Sequence, residues 1–220
     1  MAGRDPQCIH SIERENLMGS TLLNMTVSLD GFGAGEHIDV EHPLGVGGER
    51  LHDWIFTAGG DRSVTAGGTS PGGVDAQVMR ELAETTGAVL IGRRTFDVGL
   101  GHWQDTPYPL PCVVLTHETR SPMAMTSASF TFVTSGIADA VEQARKFAGE
   151  KNVLIMGGAD VGQQALRAGL VDEIQIQLVP VLIGAGTRLF DHLGTDRIEL
   201  ERTRTIESPY VTHLRFRVVG

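Results

Sequence analysis

Residues 153–166 read VLIMGGADVGQQAL, and the order of side chains there decides the fold. Val153 to Met156 is a short apolar run, the pattern of a buried strand. Gly157 and Gly158 interrupt it, and a helix pattern follows over 160–168. A strand that passes through glycine into a helix is a building unit of parallel α/β sheets. The two glycines allow a backbone to approach a pyrophosphate closely, and the free N–H groups of a helix start favour its charge. A P-loop does not fit, because it needs Lys and then Ser or Thr where Gly162 is followed by Gln163 and Gln164. Nor does the spacing of Gly157, Gly158 and Gly162 match the Rossmann G-x-G-x-x-G. A helix-packing turn with no ligand is the plainer alternative.

The same grammar extends in both directions. Val74, Val78 and Leu82, with Met79 beside them, form one apolar stripe of a helix that Gly87 is expected to stop. AVLIG (88–92) then reads as a buried strand, as do TLLNMTVSL (21–29), PCVVLT (111–116) and SFTFVT (129–134). Ile137, Ala140, Val141, Ala144 and Phe147 put a helix over 137–148, and NVLIM (152–156) leads into the double glycine. The end of the chain is rich in strands: EIQIQLVPVLIG (173–184), RIELERTRTI (197–206) and YVTHLRFRVV (210–219). The last two alternate apolar and polar residues across Glu207-Ser208-Pro209, which predicts an antiparallel hairpin. The expected fold is a single α/β domain, with a mostly parallel mixed sheet, helices on both faces and a C-terminal antiparallel hairpin.

Bulk properties narrow the function classes. The 220 residues are 41% hydrophobic and 20% charged, which suits a globular core. A net charge of −9 argues against nucleic acid as partner, since that needs a basic face, but a few arginines still suffice for an anionic cofactor. Cys8 and Cys112 make neither a disulfide framework nor a metal spacing. No apolar run is long enough to cross a bilayer and the first residues do not read as a signal peptide, so a cytoplasmic protein is expected. Residues 1–19 read as a polar N-terminal extension, with Met18 a candidate natural start, and 20–220 as the domain. The glycine-rich stretch 31–73, with one or two helical turns over Leu51 to Phe56, reads as a long functional or mobile loop.

Two further segments carry chemistry. LIGRRTF (90–96) ends a strand at Gly92 and opens a helix with Arg93, Arg94 and Thr95, which is phosphate-binding chemistry or a solvated cap. VVLTHE (113–118) delivers Thr116 and His117 at the carboxyl end of a strand, the edge where ligands bind in parallel sheets. His37, Asp39, Glu41, His42 and His52 are metal-type residues, but their spacing fits no defined site and no metal is assigned.

Taken in order, GRRT, the strand ending at Thr116 and the strand ending in Gly157-Gly158 resemble the cofactor half of the dihydrofolate reductase-like family. SLDG (28–31), GRRTF (92–96), GGADVG (157–162) and PVLIGAGTRLF (180–190) resemble the branch that holds the riboflavin-pathway reductase domain. Bifunctional relatives carry a zinc deaminase, whose H-x-E and P-C-x-x-C pair is missing here, so the resemblance implies a free-standing reductase domain.

The resemblance implies NADPH as cofactor and hydride transfer to a pyrimidine- or pterin-type ring or a ribosylamino-pyrimidine. It implies that Gly92, Arg93, Arg94, Thr95, Thr116 and His117 hold the phosphates and adenosine end. Gly157, Gly158, Asp160 and Val161 would pass the pyrophosphate, across a cis Gly157–Gly158 peptide. Ser28, Leu29 and Asp30 would border the nicotinamide. Asp30 and Asp75 are the catalytic candidates. Asp75 either anchors the substrate ring or only complements its helix start. A homodimer is expected, and the alternative to an enzyme is a non-catalytic NADPH-binding or regulatory protein of the same fold.

Overall fold

The computed structural model describes residues 19–57 and 73–219. The expected extension therefore lies, apart from Gly19, outside the described residues, as do Met18 and residues 58–72 of the glycine-rich stretch.

The strands are β1 (Thr21–Ser28), β2 (Phe32–Ala34), β3 (Thr86–Gly92), β4 (Cys112–Leu115), β5 (Met123–Ala124) and β6 (Ser129–Val133). They continue as β7 (Asn152–Ile155), β8 (Glu173–Val179), β9 (Thr187–Arg188), β10 (Glu199–Glu207) and β11 (Thr212–Val219). The helices are α1 (Asp53–Thr57), α2 (Val74–Thr85), α3 (Arg93–Trp103), α4 (Ile137–Ala148) and α5 (Ala159–Arg167), with a short 3-10 turn over Gly48–His52. Nine strands form one sheet in the order β10-β11-β8-β1-β7-β3-β4-β6-β5. The six from β8 to β6 run parallel, and β11, β10 and β5 pair antiparallel at the two ends. A separate two-stranded ribbon joins β2 to β9.

Continuous apolar strands bury both faces of this sheet. Leu23, Leu90, Val153, Ile155 and Ile174 face α4 and α5 through Ala140, Val141, Ala144, Val161 and Ala165. On the opposite face Val89, Ile91, Val114 and Phe130 pack on Phe96 of α3, and Leu22 and Leu154 on Leu82 of α2. The expected parallel core, flanking helices and C-terminal hairpin are all present. Among the described residues no helix is long and apolar enough to cross a membrane.

Three expectations change in detail. Gly87 does not stop α2; Thr86 does, in extended conformation, with its N–H and its hydroxyl both donating to the Leu82 carbonyl. Gly87 lies inside β3, where an added Cβ would sit 2.5 Å from the Ala148 carbonyl oxygen, so its role is close passage beneath the end of α4. The strand expected over 173–184 ends at Val179, because Pro180 has no N–H to offer a ladder. The described part of the stretch after residue 31 carries structure of its own: β2 pairs with β9, and Glu36 bridges Val46.

The exit from β1 is locked by side chains. The Ser28 hydroxyl donates to Asp30 Oδ1 at 2.6 Å and accepts the Phe32 N–H at 2.9 Å. Asp30 also accepts the N–H groups of Ile183 (3.2 Å) and Gly184 (2.8 Å), tying this turn to the chain after β8. Arg188 donates to the Asp30 carbonyl at 2.7 Å and lies 4.3 Å above the Phe32 ring. The Ser28 hydroxyl, then the two backbone donors, hold the Asp30 carboxyl down at about 2. A carboxylate lowered in the folded state stabilises the fold above its ordinary value of 3.8, and that share is lost as pH falls through about 2. Asp30→Asn is therefore expected to be less stable than the wild type near neutral pH, with the difference closing as pH drops from 3.8 towards 2. Urea denaturation across that range measures it; a pH-independent difference would contradict the assignment.

Candidate functional site

A cleft of about 1510 Å³ opens along the carboxyl ends of the parallel strands. One half is built from backbone. The helices α3, α4 and α5 start at Gly92, Gly136 and Gly158, and none of these glycines offers a side chain to cap the first N–H groups. All three starts border the cleft, so three sets of helix-start donors face one space.

Glycine makes this convergence possible. Gly157 and Gly158 take φ 79° and 84°, a region that favours glycine. A Cβ on Gly157 would lie 2.5 Å from Thr95 Cγ2, and one on Gly158 3.3 Å from Thr95 Oγ1. A Cβ on Gly92 would lie 3.0 Å from Val161 Cγ2. The expected cis peptide is not found: no described peptide bond is cis. Two successive positive φ values turn the chain instead, with the Gly157 N–H directed to Met25 Sδ at 3.3 Å.

All ten residues from Gly92 to Thr95, Thr116, His117, Gly157, Gly158, Asp160 and Val161 that the motifs single out border this cleft. Their charges are not equivalent. Arg93 pairs with Asp97 at 2.5 Å and approaches Glu118 at 3.9 Å; Arg120 closes the network to Glu118 at 2.7 Å and to Asp97 at 3.3 Å. Acidic groups thus do reach this helix start, from one turn along α3 and from the loop after β4. Arg94 has no carboxylate partner among the described residues. Asp160 is exposed and accepts from Gln164 Nε2 at 2.6 Å. Thr134 and Gly136 were not anticipated as part of this wall, although FVTSG (132–136), a strand running into a glycine-started helix, repeats the signal of Gly157-Gly158.

The other half is lined by side chains of β1, the 3-10 turn, α1, α2 and β8. Asn24, Thr26, His52, Trp54, Met79 and Gln177 face it. Trp54 and Gln177 are each 2% exposed. The Gln177 Nε2 donates to Asn24 Oδ1 at 2.8 Å, and Trp54 meets the His213 ring edge-on at 5.2 Å. Trp54 Nε1, Gln177 Oε1 and His52 Nδ1 are buried with no hydrogen-bond partner among the described residues. Each such atom costs about 1–3 kcal/mol when left without a hydrogen bond. Burial pushes the His52 imidazole down to about 4, with Asp53 opposing the shift, so His52 is neutral at physiological pH.

Four expected residues stand elsewhere. Ser28 and Asp30 are engaged in the β1 turn, and Leu29 is 65% exposed; none borders the cleft. Asp75 is buried and accepts from His213 Nε2 at 2.8 Å, away from the cleft wall. Asp75 is the acidic residue in the first turn of α2, the position of the second alternative, and β11 carries His213 beneath that turn, so the carboxylate also closes a contact between helix and sheet. Asp39 meets His42 at 3.3 Å, and among the described residues no group of three or more metal-type side chains converges.

Removing one member of the Asp75–His213 pair strands the other. Asp75→Ala is expected to lose roughly 2–4 kcal/mol of stability, and Asp75→Asn, which keeps an acceptor, clearly less. Urea denaturation of both distinguishes them. For His52 the folded value lies below the unfolded one, so stability falls as pH drops from 6.5 to about 4, where the unfolded chain binds the extra proton. His52→Asn should remove about 1–3 kcal/mol of that acid-side loss, read from paired denaturation curves at the two ends of the window.

The chain is similar in sequence or fold to several known proteins. The family model of the RibD C-terminal domain matches residues 20–212. The Bacillus subtilis (strain 168) protein YwjB, itself uncharacterized, is 25% identical over 188 residues, which cover 84% of this chain and 90% of YwjB. A protein of Shewanella sp. PV-4 named for riboflavin biosynthesis superposes with a TM-score of 0.65 at 22% identity, over 91% of this chain and 99% of that one. The Thermotoga maritima diaminohydroxyphosphoribosylaminopyrimidine deaminase and uracil reductase gives 0.61 at 12% identity; the match takes 96% of this chain but only 59% of that bifunctional protein. Enterococcus faecalis dihydrofolate reductase gives 0.54 at 14% identity over 93% of this chain and 99% of the reductase, and shows the fold is dihydrofolate reductase-like. With its sheet order, its glycine turn and a family match across nearly the whole domain, the chain belongs to the RibD C-terminal domain family.

Proposed function

We propose that this protein is an NADPH-dependent reductase acting on a pyrimidine- or pterin-type ring, in the manner of a phosphoribosylaminouracil reductase. The observation that carries the reading is the cradle itself. Gly157 and Gly158 leave out the side chains that would close it, and three uncapped helix starts aim their N–H groups into it. The E. faecalis relative is described in complex with NADP(H), which supports the same cofactor here. When bound, the nicotinamide supplies the hydride.

This chain's own residues position and shield. Backbone N–H groups at Arg94–Thr95 and Ala159–Asp160 hold a pyrophosphate, with Thr95 and Thr116 contributing hydroxyls. Arg94 pairs with a 2′-phosphate, which favours NADPH over NADH. Trp54 and Met79 cover the substrate half and exclude water. The protein forms a homodimer in this reading, supported by Leu200, Tyr210 and Val219, which are 43%, 50% and 45% exposed around the β10–β11 hairpin. A monomeric mass in light scattering would remove that element.

Fluorescence titration should show NADPH binding more tightly than NADH. Arg94→Ala should weaken NADPH about tenfold and leave NADH nearly unchanged, whereas Arg93→Ala should do less because Arg93 is already paired. Gly157→Ala should weaken both cofactors, since its methyl meets Thr95. Equal affinity of the wild type for the two cofactors would overturn the assignment of Arg94. Oxidation of NADPH, followed at the nicotinamide band against a panel of pteridines and pyrimidines, tests turnover. Binding without oxidation of any ring favours the alternative, a binding or regulatory protein of this fold.

A further inference from the structure

Helix α2 crosses two rows of side chains that stand on one face of the sheet. The strand register puts Gln177, His213 and Ile206 in one row and Gln175, Arg215 and Arg204 in the next. Partners across a ladder, and residues two apart along a strand, point to the same face. Asp75 of α2 meets the first row through His213 at 2.8 Å, and Glu81 meets the second through Arg204 at 2.5 Å. Val78 lies between Asp75 and Glu81 on that side of the helix. Val78 and the two rows border a cavity of about 10 Å³, which is space for about one water molecule.

Two polar atoms of the residues around this cavity are buried with no hydrogen-bond partner among the described residues: Gln175 Nε2 and His213 Nδ1. Gln175 is 6% exposed and His213 3%. The two atoms are complementary. The amide nitrogen is a donor. On the imidazole, Nε2 gives its hydrogen to the Asp75 carboxylate, which leaves Nδ1 as an acceptor. They do not bond to each other, since Gln175 stands diagonally from His213 across the ladder, a separation of roughly 7–8 Å at the backbone.

We infer that the cavity beneath Val78 is a binding site for one water molecule, which accepts from Gln175 Nε2–H and donates to His213 Nδ1. Partners of both senses are what a buried water requires. An anion is the other small occupant that two bordering arginines could attract, and it fits less well. Arg204 is paired with Glu81 and Arg215 with Glu173, and an anion would face the lone pair of Nδ1. A metal cation would meet the Gln175 N–H and two guanidinium groups. With Asp75 on one ring nitrogen and water on the other, the tautomer and the orientation of His213 are both fixed. Trp54 packs on that ring, so the water is a positioning element one layer behind the cleft wall, whatever ring the cleft takes.

Solution NMR of the isotope-labelled full chain near neutral pH tests the site. A long-lived water is expected to show a nuclear Overhauser contact with the His213 ring C–H that lies between the two nitrogens. The nitrogen shift of Nδ1 should be that of an unprotonated ring nitrogen accepting a hydrogen bond. Gln175→Met keeps the length of the side chain and removes the donor. It should abolish the water contact and move the Nδ1 shift, while the Nε2 proton held by Asp75 stays in place. A crystal soaked in bromide separates the two occupants: a light atom within hydrogen-bond distance of both Gln175 Nε2 and His213 Nδ1 is expected. No long-lived water in the wild type, a proton on Nδ1, anomalous bromide signal in the cavity, or a water contact that survives in Gln175→Met would each overturn the inference. The wild-type readings decide it alone if the variant fails to fold.

Discussion

The start of α3 and the turn after β7 lie in van der Waals contact, backbone against Thr95, and there is no room between them for a methyl group. That contact joins neighbouring parallel strands at their carboxyl ends and sets the spacing of the helix starts around the cleft. It needs glycine twice over, once for the left-handed φ of Gly157 and Gly158 and once for the missing Cβ. The uncharged donors of the cradle follow from it, and so does the distinction between the two arginines beside it. Arg93 is drawn into the network with Asp97, Glu118 and Arg120, whereas Arg94 meets no carboxylate among the described residues.

The cleft has two halves of different character. One is framed by main chain at three helix starts; the other is made of side chains, among them the buried and neutral Trp54 and Gln177. Rigidity separates them from ordinary surface polarity. Gln177 is held by Asn24, Trp54 by packing on His213, and His213 by Asp75. Asp75 thus acts at one remove, on the framework behind the cleft wall. Side chains locked by their neighbours lose little freedom when a ligand arrives, which is how a small number of hydrogen bonds gains selectivity.

The sheet was largely legible in the sequence because its central strands are buried on both faces and read as unbroken apolar runs. The glycine-lined half of the cleft was legible for a related reason: Gly157-Gly158 and GRRT are local signals, each complete within a few residues. The rest depends on contacts across long stretches of chain. Asp75 and His213 are 138 residues apart, and nothing near Asp75 announces its partner. Asp30 looked catalytic because its neighbours SLDG form a motif; Ser28 of that motif does donate to it, but its other two donors, the N–H groups of Ile183 and Gly184, lie far along the chain. One clue to the substrate half was present in EIQIQLV, where Gln175 and Gln177 put polar side chains on one face of a strand that is otherwise buried. Alternation inside a buried strand marks a polar interior rather than a solvent face.

The strand order also bears on how the protein is made. Among the described strands β1, an interior strand, is synthesised before the others, yet its two partners, β7 and β8, come more than a hundred residues later. Further out, β11 is the final strand but sits between β10 and β8, inside the sheet. A nascent chain therefore carries an apolar β1 with no partner until β7 and β8 follow, and closure of the sheet waits for β11. Loss of β11 would remove an interior strand and leave β8 with a bare edge. Such a fold is exposed to aggregation during translation, and truncation at its C-terminus is expected to cost the whole domain, with no shortened version of it left to function.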